Sequence, residues 1–195
     1  MNCDAKLFHK GFSLIEVHIS IFILSIGVIG AAGLQLAAFR AERQAAIQTA
    51  ALQLATEISD VVRAIGRRRP ATAGSSPVTG LSYQSAFDGD PQVPAKLCYS
   101  ARCNIDELTE FEIYEWKARV KASLPGGRLL ICHDSAPWDN GKKSLSWACH
   151  GDTNGQGPLV VKLGWQAQNP DGSPARSENG SFAPGLVMTV GPSRL

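Results

Sequence analysis

The distribution of hydrophobic and polar residues divides the first third of the chain into three segments. A short polar leader, residues 1–11, precedes an apolar run from Phe12 to Leu34. Over residues 35–66 apolar side chains recur every three or four positions among charged and amide side chains, which is the spacing of an amphipathic helix. No proline interrupts the apolar or the amphipathic segment, so the pattern predicts one continuous helix from about Phe12 to about Gly66.

Residues 67–195 are predicted to form a globular domain. Residues 67–94 contain four prolines among glycines and serines and indicate an irregular connecting loop. A second helix is expected after Asn104, with Glu107 completing a capping box and Pro125–Gly127 ending the helix. Four strands of an antiparallel sheet are expected at Arg128–His133, Ser144–Cys149, Leu159–Gln168 and Gly185–Val190. The fold class is therefore α+β, with a long N-terminal helix packed on a small antiparallel sheet that carries a second short helix.

The apolar run has the length of a membrane-spanning helix. Val17–Leu34 contains no Asp, Glu, Lys or Arg, and a helix of that length covers about 27 Å, enough to cross a hydrocarbon core. The leader carries Lys6 and Lys10 but only Asp4 as an acid, which favours a cytoplasmic leader and an exported domain.

Charge and motif content exclude several classes of function. The net charge is +2, and the basic cluster Arg67–Arg69 has no interleaved aromatic residues, so nucleic acid binding is not expected. No nucleophile with a base, phosphate-binding glycine loop or nucleotide motif is present. The acidic residues of the second helix are interpreted as a solvated face; they are Asp106, Glu107, Glu110, Glu112 and Glu115. We therefore expect neither an enzyme nor a cofactor.

The five cysteines separate by compartment. Cys3 lies in the leader, which leaves four cysteines on the exported side, where disulfides form. A two-residue turn at Asn140-Gly141 would place Cys132 opposite Cys149 in a hairpin, at a separation that a disulfide accepts. Pro137 and Trp138 leave a longer loop open. Cys98 and Cys103 then pair by elimination.

A zinc site is the alternative use of these cysteines. His133 and His150 follow Cys132 and Cys149 directly, which makes a Cys2His2 set chemically possible. Adjacent residues of a strand point to opposite faces, so a cysteine and the next histidine do not readily reach one ion. We therefore expect no metal.

Three interpretations of the apolar run compete, and Glu16 separates them. A cleaved signal peptide has an apolar core of about 7 to 15 residues, shorter than this run. A plain membrane anchor would hold Glu16 at interface depth, where a carboxylate costs little. In the third interpretation the Gly11–Phe12 bond is cut, and Glu16 pairs with the new N-terminal ammonium of a neighbouring subunit.

The third interpretation agrees with a family resemblance. The stretch "KGFSLIEV" resembles the prepilin cleavage motif of type IV pilins and type II secretion pseudopilins. The resemblance implies cleavage after Gly11 by a prepilin peptidase, N-methylation of Phe12, and Glu16 as the assembly carboxylate. It also implies storage in the inner membrane with the domain in the periplasm, contact with the inner-membrane pilus assembly platform, and assembly with minor and major pilins into a surface pilus.

A second stretch narrows the resemblance. The sequence "EFEIYEWKARVKASLPGGRLLICHD", Glu110–Asp134, is similar to PilV-type minor pilins. It implies a minor pilin acting at assembly initiation or at the filament tip. The alternatives are a minor pseudopilin of type II secretion and a membrane-anchored periplasmic binding module or enzyme. The chain departs from common pilins at His18, which interrupts the apolar run, and at Gly33, where major pilins commonly have proline.

Overall fold

A computed structural model describes residues 11, 13–68, 76–151, 157–167 and 182–190. It has the α+β arrangement expected from the sequence. The boundary between two compact units falls between Gln44 and Ala45. The elements in chain order are α1 (Leu14–Arg68), β1 (Ser82–Gln84), α2 (Ser85–Asp88), α3 (Ile105–Ser123), β2 (Arg128–His133), β3 (Trp138–Asp139), β4 (Ser144–Leu145), β5 (Leu159–Gly164) and β6 (Leu186–Thr189).

Helix α1 is continuous across the predicted change of character. Every described residue from 13 to 46 is exposed, whereas buried positions begin at Ala51 and recur every three or four residues up to Gly66. This spacing puts one stripe of the amphipathic half into the domain core. Only the later part of the predicted amphipathic segment, from Ala45 onwards, thus belongs to the second unit.

The main sheet has four antiparallel strands in the order β1-β2-β5-β6. Strand β5 lies between two neighbours, and all six of its residues are buried. Three strands are shorter than predicted: β4 ends at Leu145, β5 ends at Gly164, and β6 covers only Leu186–Thr189. Gln168, the predicted end of β5, lies outside the described residues.

The prediction of an irregular loop over residues 67–94 was wrong in part. This segment contains β1 and the single turn α2. Strand β1 pairs with β2, with Ser82 opposite Leu130, and it buries Tyr83 to 2% exposure. Long-range pairing and the burial of one aromatic ring supply the order here, and neither is visible in local composition.

Helix α3 begins and ends as predicted. The Asn104 side chain accepts hydrogen bonds from the backbone N–H groups of Asp106 and Glu107, and the Glu107 carboxylate accepts one from the Asn104 N–H. This reciprocal capping box is confirmed. The helix buries Trp116 and Val120 completely against α1 and sheet residues of the hydrophobic core.

The predicted two-residue hairpin was wrong. Asp139 pairs with Ser144, so the β3–β4 turn contains the four residues 140–143. The Asp139 carboxylate accepts hydrogen bonds from the Gly141 and Lys142 N–H groups at 2.9 and 3.1 Å. Lys143 adopts a positive φ of 50°. Asp139 thus organises a longer turn than the Asn-Gly pair alone suggests.

Candidate functional site

The N-terminal turn of α1 contains the described part of the predicted processing and assembly site. The Ser13 carbonyl accepts hydrogen bonds from the N–H groups of Glu16 and Val17, at 3.0 and 3.3 Å. Helix α1 therefore starts immediately after Ser13, with Glu16 in its first turn. A carboxylate is favoured there by the exposed N–H groups and the helix dipole. Gly11 is exposed, and Phe12 lies outside the described residues.

The polar residues of the apolar run differ in how their hydrogen-bonding groups are satisfied. His18 Nδ1 lies 2.8 Å from the Leu14 carbonyl oxygen. Ser20 and Ser25 donate their hydroxyls to the carbonyls four residues earlier, at 2.8 and 2.7 Å. The Glu16 carboxylate makes no hydrogen bond or ion pair with any other residue in the described parts of the chain. Glu16 is therefore free to contact a group outside the described residues.

The apolar side chains on either side of Glu16 are uncovered, and so are those further along the apolar run. Leu14 is 75% exposed beside Glu16, and Ile29 and Leu34 are each 74% exposed. By length and composition, α1 is able to cross a membrane, since its most apolar 18-residue window has a mean hydropathy of 2.2. A contiguous apolar surface of this extent is typical of contact with lipid or with other helices. At Gly27, Gly30 and Gly33, an added Cβ would meet no atom within 4 Å.

Both expected disulfides are present in the structure. The Cα atoms are 5.8 Å apart in Cys98–Cys103 and 6.2 Å apart in Cys132–Cys149. The hairpin argument for the second pair was nevertheless wrong, because Cys132 lies on β2 opposite Val160, and Cys149 lies beyond the end of β4. Because both sulfurs are bonded to each other, neither is a thiolate of the kind that binds zinc.

The acidic face of α3, which was interpreted as solvated, makes contacts that the sequence analysis did not predict. Glu107 pairs with Lys96 at 3.0 Å, and the Tyr99 hydroxyl donates to Glu115 at 2.5 Å. Burial raises the pKa of Glu112, an effect that the charge of Arg119 partly offsets. The interpretation was therefore wrong in part: Asp106 and Glu110 are exposed, but the segment before α3 contacts Glu107 and Glu115 through Lys96 and Tyr99.

Sequence reasoning missed a buried ion pair between Asp134 and Lys162. Both side chains are fully buried, and Lys162 Nζ lies 2.5 Å from Asp134 Oδ2. Burial alone would raise the pKa of Asp134, but hydrogen bonds from Lys162 and from the Ala136 and His150 N–H groups lower it below its usual value. The signal was the single lysine in "LVVKLG", since a lysine within a fully buried strand requires a partner.

A shallow cavity of about 330 Å³ lies between α3 and the segment around α2. Tyr83, Tyr114, Asp88 and Asp90 are among its lining residues. Asp88 accepts a hydrogen bond from the Gln84 N–H, and Asp90 pairs with Lys121 at 2.5 Å. These two carboxylates are therefore used in holding neighbouring segments together.

Comparison with known proteins bears on the N-terminal region. Residues 8–32 match the prokaryotic N-terminal methylation motif. The matched range contains Gly11, Phe12, Glu16 and most of the apolar run. No curated protein and no solved structure matches the chain. The motif is that of pilin-like prepilin proteins, which are generally structural subunits.

Proposed function

We propose that this protein is a minor pilin of a type IV pilus, stored in the inner membrane with its domain in the periplasm. In this proposal a prepilin peptidase cuts after Gly11, and the mature subunit acts at assembly initiation or at the filament tip. The observation that carries the proposal is the methylation motif at residues 8–32. It is supported by Glu16, which has no partner among the described residues and lies in the first turn of an uncovered apolar helix.

Cleavage and the carboxylate act together in the proposed assembly step. Cutting the Gly11–Phe12 bond creates an N-terminal ammonium at Phe12, and N-methylation retains its positive charge. In a bundle of apolar helices this ammonium needs an anion, which Glu16 of an adjacent pilin supplies. Leaving one partner of a buried charge pair alone costs about 3 to 5 kcal/mol, enough to set the stagger between neighbouring subunits.

Intact mass of the purified protein tests the processing step. The expected mature chain begins at N-methylated Phe12, and loss of Lys6, Lys10 and Asp4 lowers the net charge from +2 to about +1. Gly11→Leu is expected to leave the leader attached, with the precursor retained in the membrane. A mature chain that begins near Gly33 or Ala38 would identify an ordinary signal peptide and contradict the proposal.

Recovery in sheared filaments tests the assembly role of Glu16. Glu16→Ala is expected to be inserted and cleaved normally but strongly depleted from filaments. Glu42→Ala is the matched control, because Glu42 is an exposed glutamate on the same helix outside the apolar run. Normal recovery of Glu16→Ala protein would mean that Glu16 is only an interfacial residue.

The assignment to the PilV-type minor pilins rests on the resemblance of Glu110–Asp134, a stretch that spans the junction between α3 and β2. Gly126 has a φ of 59°, and a Cβ at Gly127 would lie 2.6 Å from the Val120 carbonyl oxygen. The two glycines of the resembling Leu-Pro-Gly-Gly sequence thus suit the geometry of this turn. Deletion of the gene is expected to abolish twitching motility. Loss of enzyme secretion with motility intact would instead identify a type II secretion pseudopilin.

A further inference from the structure

The segment of residues 146–151, called the strap here, follows β4 and contains no regular secondary structure. Cys149 lies in this strap and is exposed, whereas its partner Cys132 is 7% exposed on β2. Backbone groups on both sides of Cys149 are held by side chains that belong to other parts of the domain.

Lys162 holds the strap from β5. Its Nζ donates to the Ser146 carbonyl at 2.7 Å and to the Ala148 carbonyl at 2.5 Å, in addition to its contact with Asp134. The two carbonyls take two of the three donors of the ammonium, and the Asp134 carboxylate balances its charge as an ion pair. The residue immediately before Cys149 is therefore bound to a fully buried cation.

Asp134 and Ser135 hold the strap from the end of β2. Asp134 Oδ1 accepts the His150 N–H at 3.1 Å. Ser135 donates its N–H and its hydroxyl to the His150 carbonyl at 3.1 and 2.8 Å. His150, immediately after Cys149, is thus bound by Asp134 and Ser135, which follow Cys132 closely in sequence. These contacts hold the two cysteines side by side.

We infer that the Lys162–Asp134 pair is the positioning device that selects Cys149 as the partner of Cys132. The four cysteines of the domain allow three pairings, and the contacts on both sides of Cys149 favour one of them before any sulfur–sulfur bond forms. The pair raises the effective concentration of one thiol at the other, which shifts their oxidation equilibrium without a covalent role. This inference is independent of the proposed function.

Equilibrium oxidation of the purified full-length chain tests the inference. In the reaction, two protein thiols lose two electrons and two protons to form the disulfide, and one glutathione disulfide is reduced to two glutathione thiols. The chain carries Cys3→Ser and is equilibrated in detergent with glutathione buffers of graded ratio. Alkylation and peptide mass then give a separate equilibrium constant for each disulfide.

The test variant is the double substitution Lys162→Met with Asp134→Asn. It removes both charges together, so no buried charge is left unpaired, and the introduced asparagine retains a side-chain oxygen that accepts the His150 N–H. The matched control is Lys121→Met with Asp90→Asn, which removes an exposed lysine–aspartate pair with the same 2.5 Å separation. Cys98–Cys103 provides an internal reference in every sample.

The test variant is expected to lower the equilibrium constant of Cys132–Cys149 by at least about tenfold. Cys98–Cys103 is expected to be unchanged in both variants, and Cys132–Cys149 is expected to be unchanged in the control. An unchanged Cys132–Cys149 constant in the test variant would overturn the inference. An equal decrease at both disulfides would also overturn it, because that result indicates general loss of the fold.

Discussion

At the scale of single residues, two lysine–aspartate pairs show how burial changes the role of a charge. Lys121–Asp90 and Lys162–Asp134 have the same 2.5 Å separation, but the first pair is largely exposed and the second is completely buried. An exposed pair contributes about 0 to 1 kcal/mol. Removing one partner of a buried pair costs about 3 to 5 kcal/mol, since the remaining charge is left in a low dielectric.

The lowered pKa of Asp134 predicts acid sensitivity. A carboxyl group whose pKa is lower in the folded protein stabilises the fold above its unfolded pKa, and this contribution is lost as the pH falls through the folded value. Thermal unfolding of the oxidised chain in detergent should therefore show decreasing stability below about pH 4. Asp134→Asn should unfold at a lower temperature at pH 7, and its unfolding temperature should fall less on acidification than that of the unsubstituted chain. Asp90→Asn should behave like the unsubstituted chain at both pH values. An unchanged acid dependence in Asp134→Asn would contradict this assignment.

At the scale of the elements, the start of α3 offers a quantitative prediction. Asn104→Ala removes an oxygen that accepts two backbone N–H groups, and loss of such a cap costs about 1 kcal/mol. The melting temperature should fall by a few degrees, as followed by circular dichroism. Glu110→Ala, an exposed change on the same helix, should leave it unchanged. Equal melting temperatures for the two variants would show that the cap contributes nothing measurable.

The junction between α3 and β2 gives a second prediction at this scale. A methyl group at Gly127 would approach a backbone oxygen of α3 and the Val120 side chain, at 2.6 and 2.8 Å. Backbone cannot yield as a flexible side chain can, so Gly127→Ala should destabilise the domain by about 1 to 3 kcal/mol. Thermal unfolding measures this effect. The matched control is Gly141→Ala, where the tightest contact is a side-chain oxygen at 3.3 Å, and a larger loss there than at Gly127 would contradict the prediction.

Elements defined by short-range pattern could be predicted from the sequence, and elements defined by distant partners could not. The capping box of α3 and the period of α1 involve residues three or four positions apart. Strand β1 exists because it pairs with β2, more than forty residues later. The β3–β4 turn was mispredicted because the Asp139 side chain, rather than the Asn-Gly pair, sets its length. Cys132–Cys149 was expected for a reason that does not hold in this fold.

At the scale of the whole molecule, helix α1 has an exposed first part and a second part with a buried stripe. The buried stripe of α1 begins at Ala51, and residues 13–46 are exposed throughout. The hydrophobic period predicted a change of character after Leu34, and the buried stripe begins only at Ala51. A helix that is apolar on all sides, as α1 is up to Leu34, requires an apolar environment on all sides. Under the proposed function that environment is first lipid and then the helices of other pilins. Under the same proposal the assembly site is incomplete within one chain, and the partner of Glu16 belongs to another subunit.

The identity of that partner predicts how substitutions at Glu16 rank. If Glu16 neutralises a neighbour's N-terminal ammonium, the negative charge is the essential property, and polarity alone is insufficient. Glu16→Gln should then be depleted from sheared filaments as strongly as Glu16→Ala, although glutamine preserves the size and hydrogen bonding of the side chain. Glu16→Asp should be recovered at an intermediate level, because it keeps the charge on a shorter side chain. Quantitative immunoblots of sheared filaments and of membranes, with Glu42→Gln as the matched control, measure this ranking. Assembly of Glu16→Gln at the control level would show that a polar group at this depth suffices, and the pairing of charges between subunits would then be rejected.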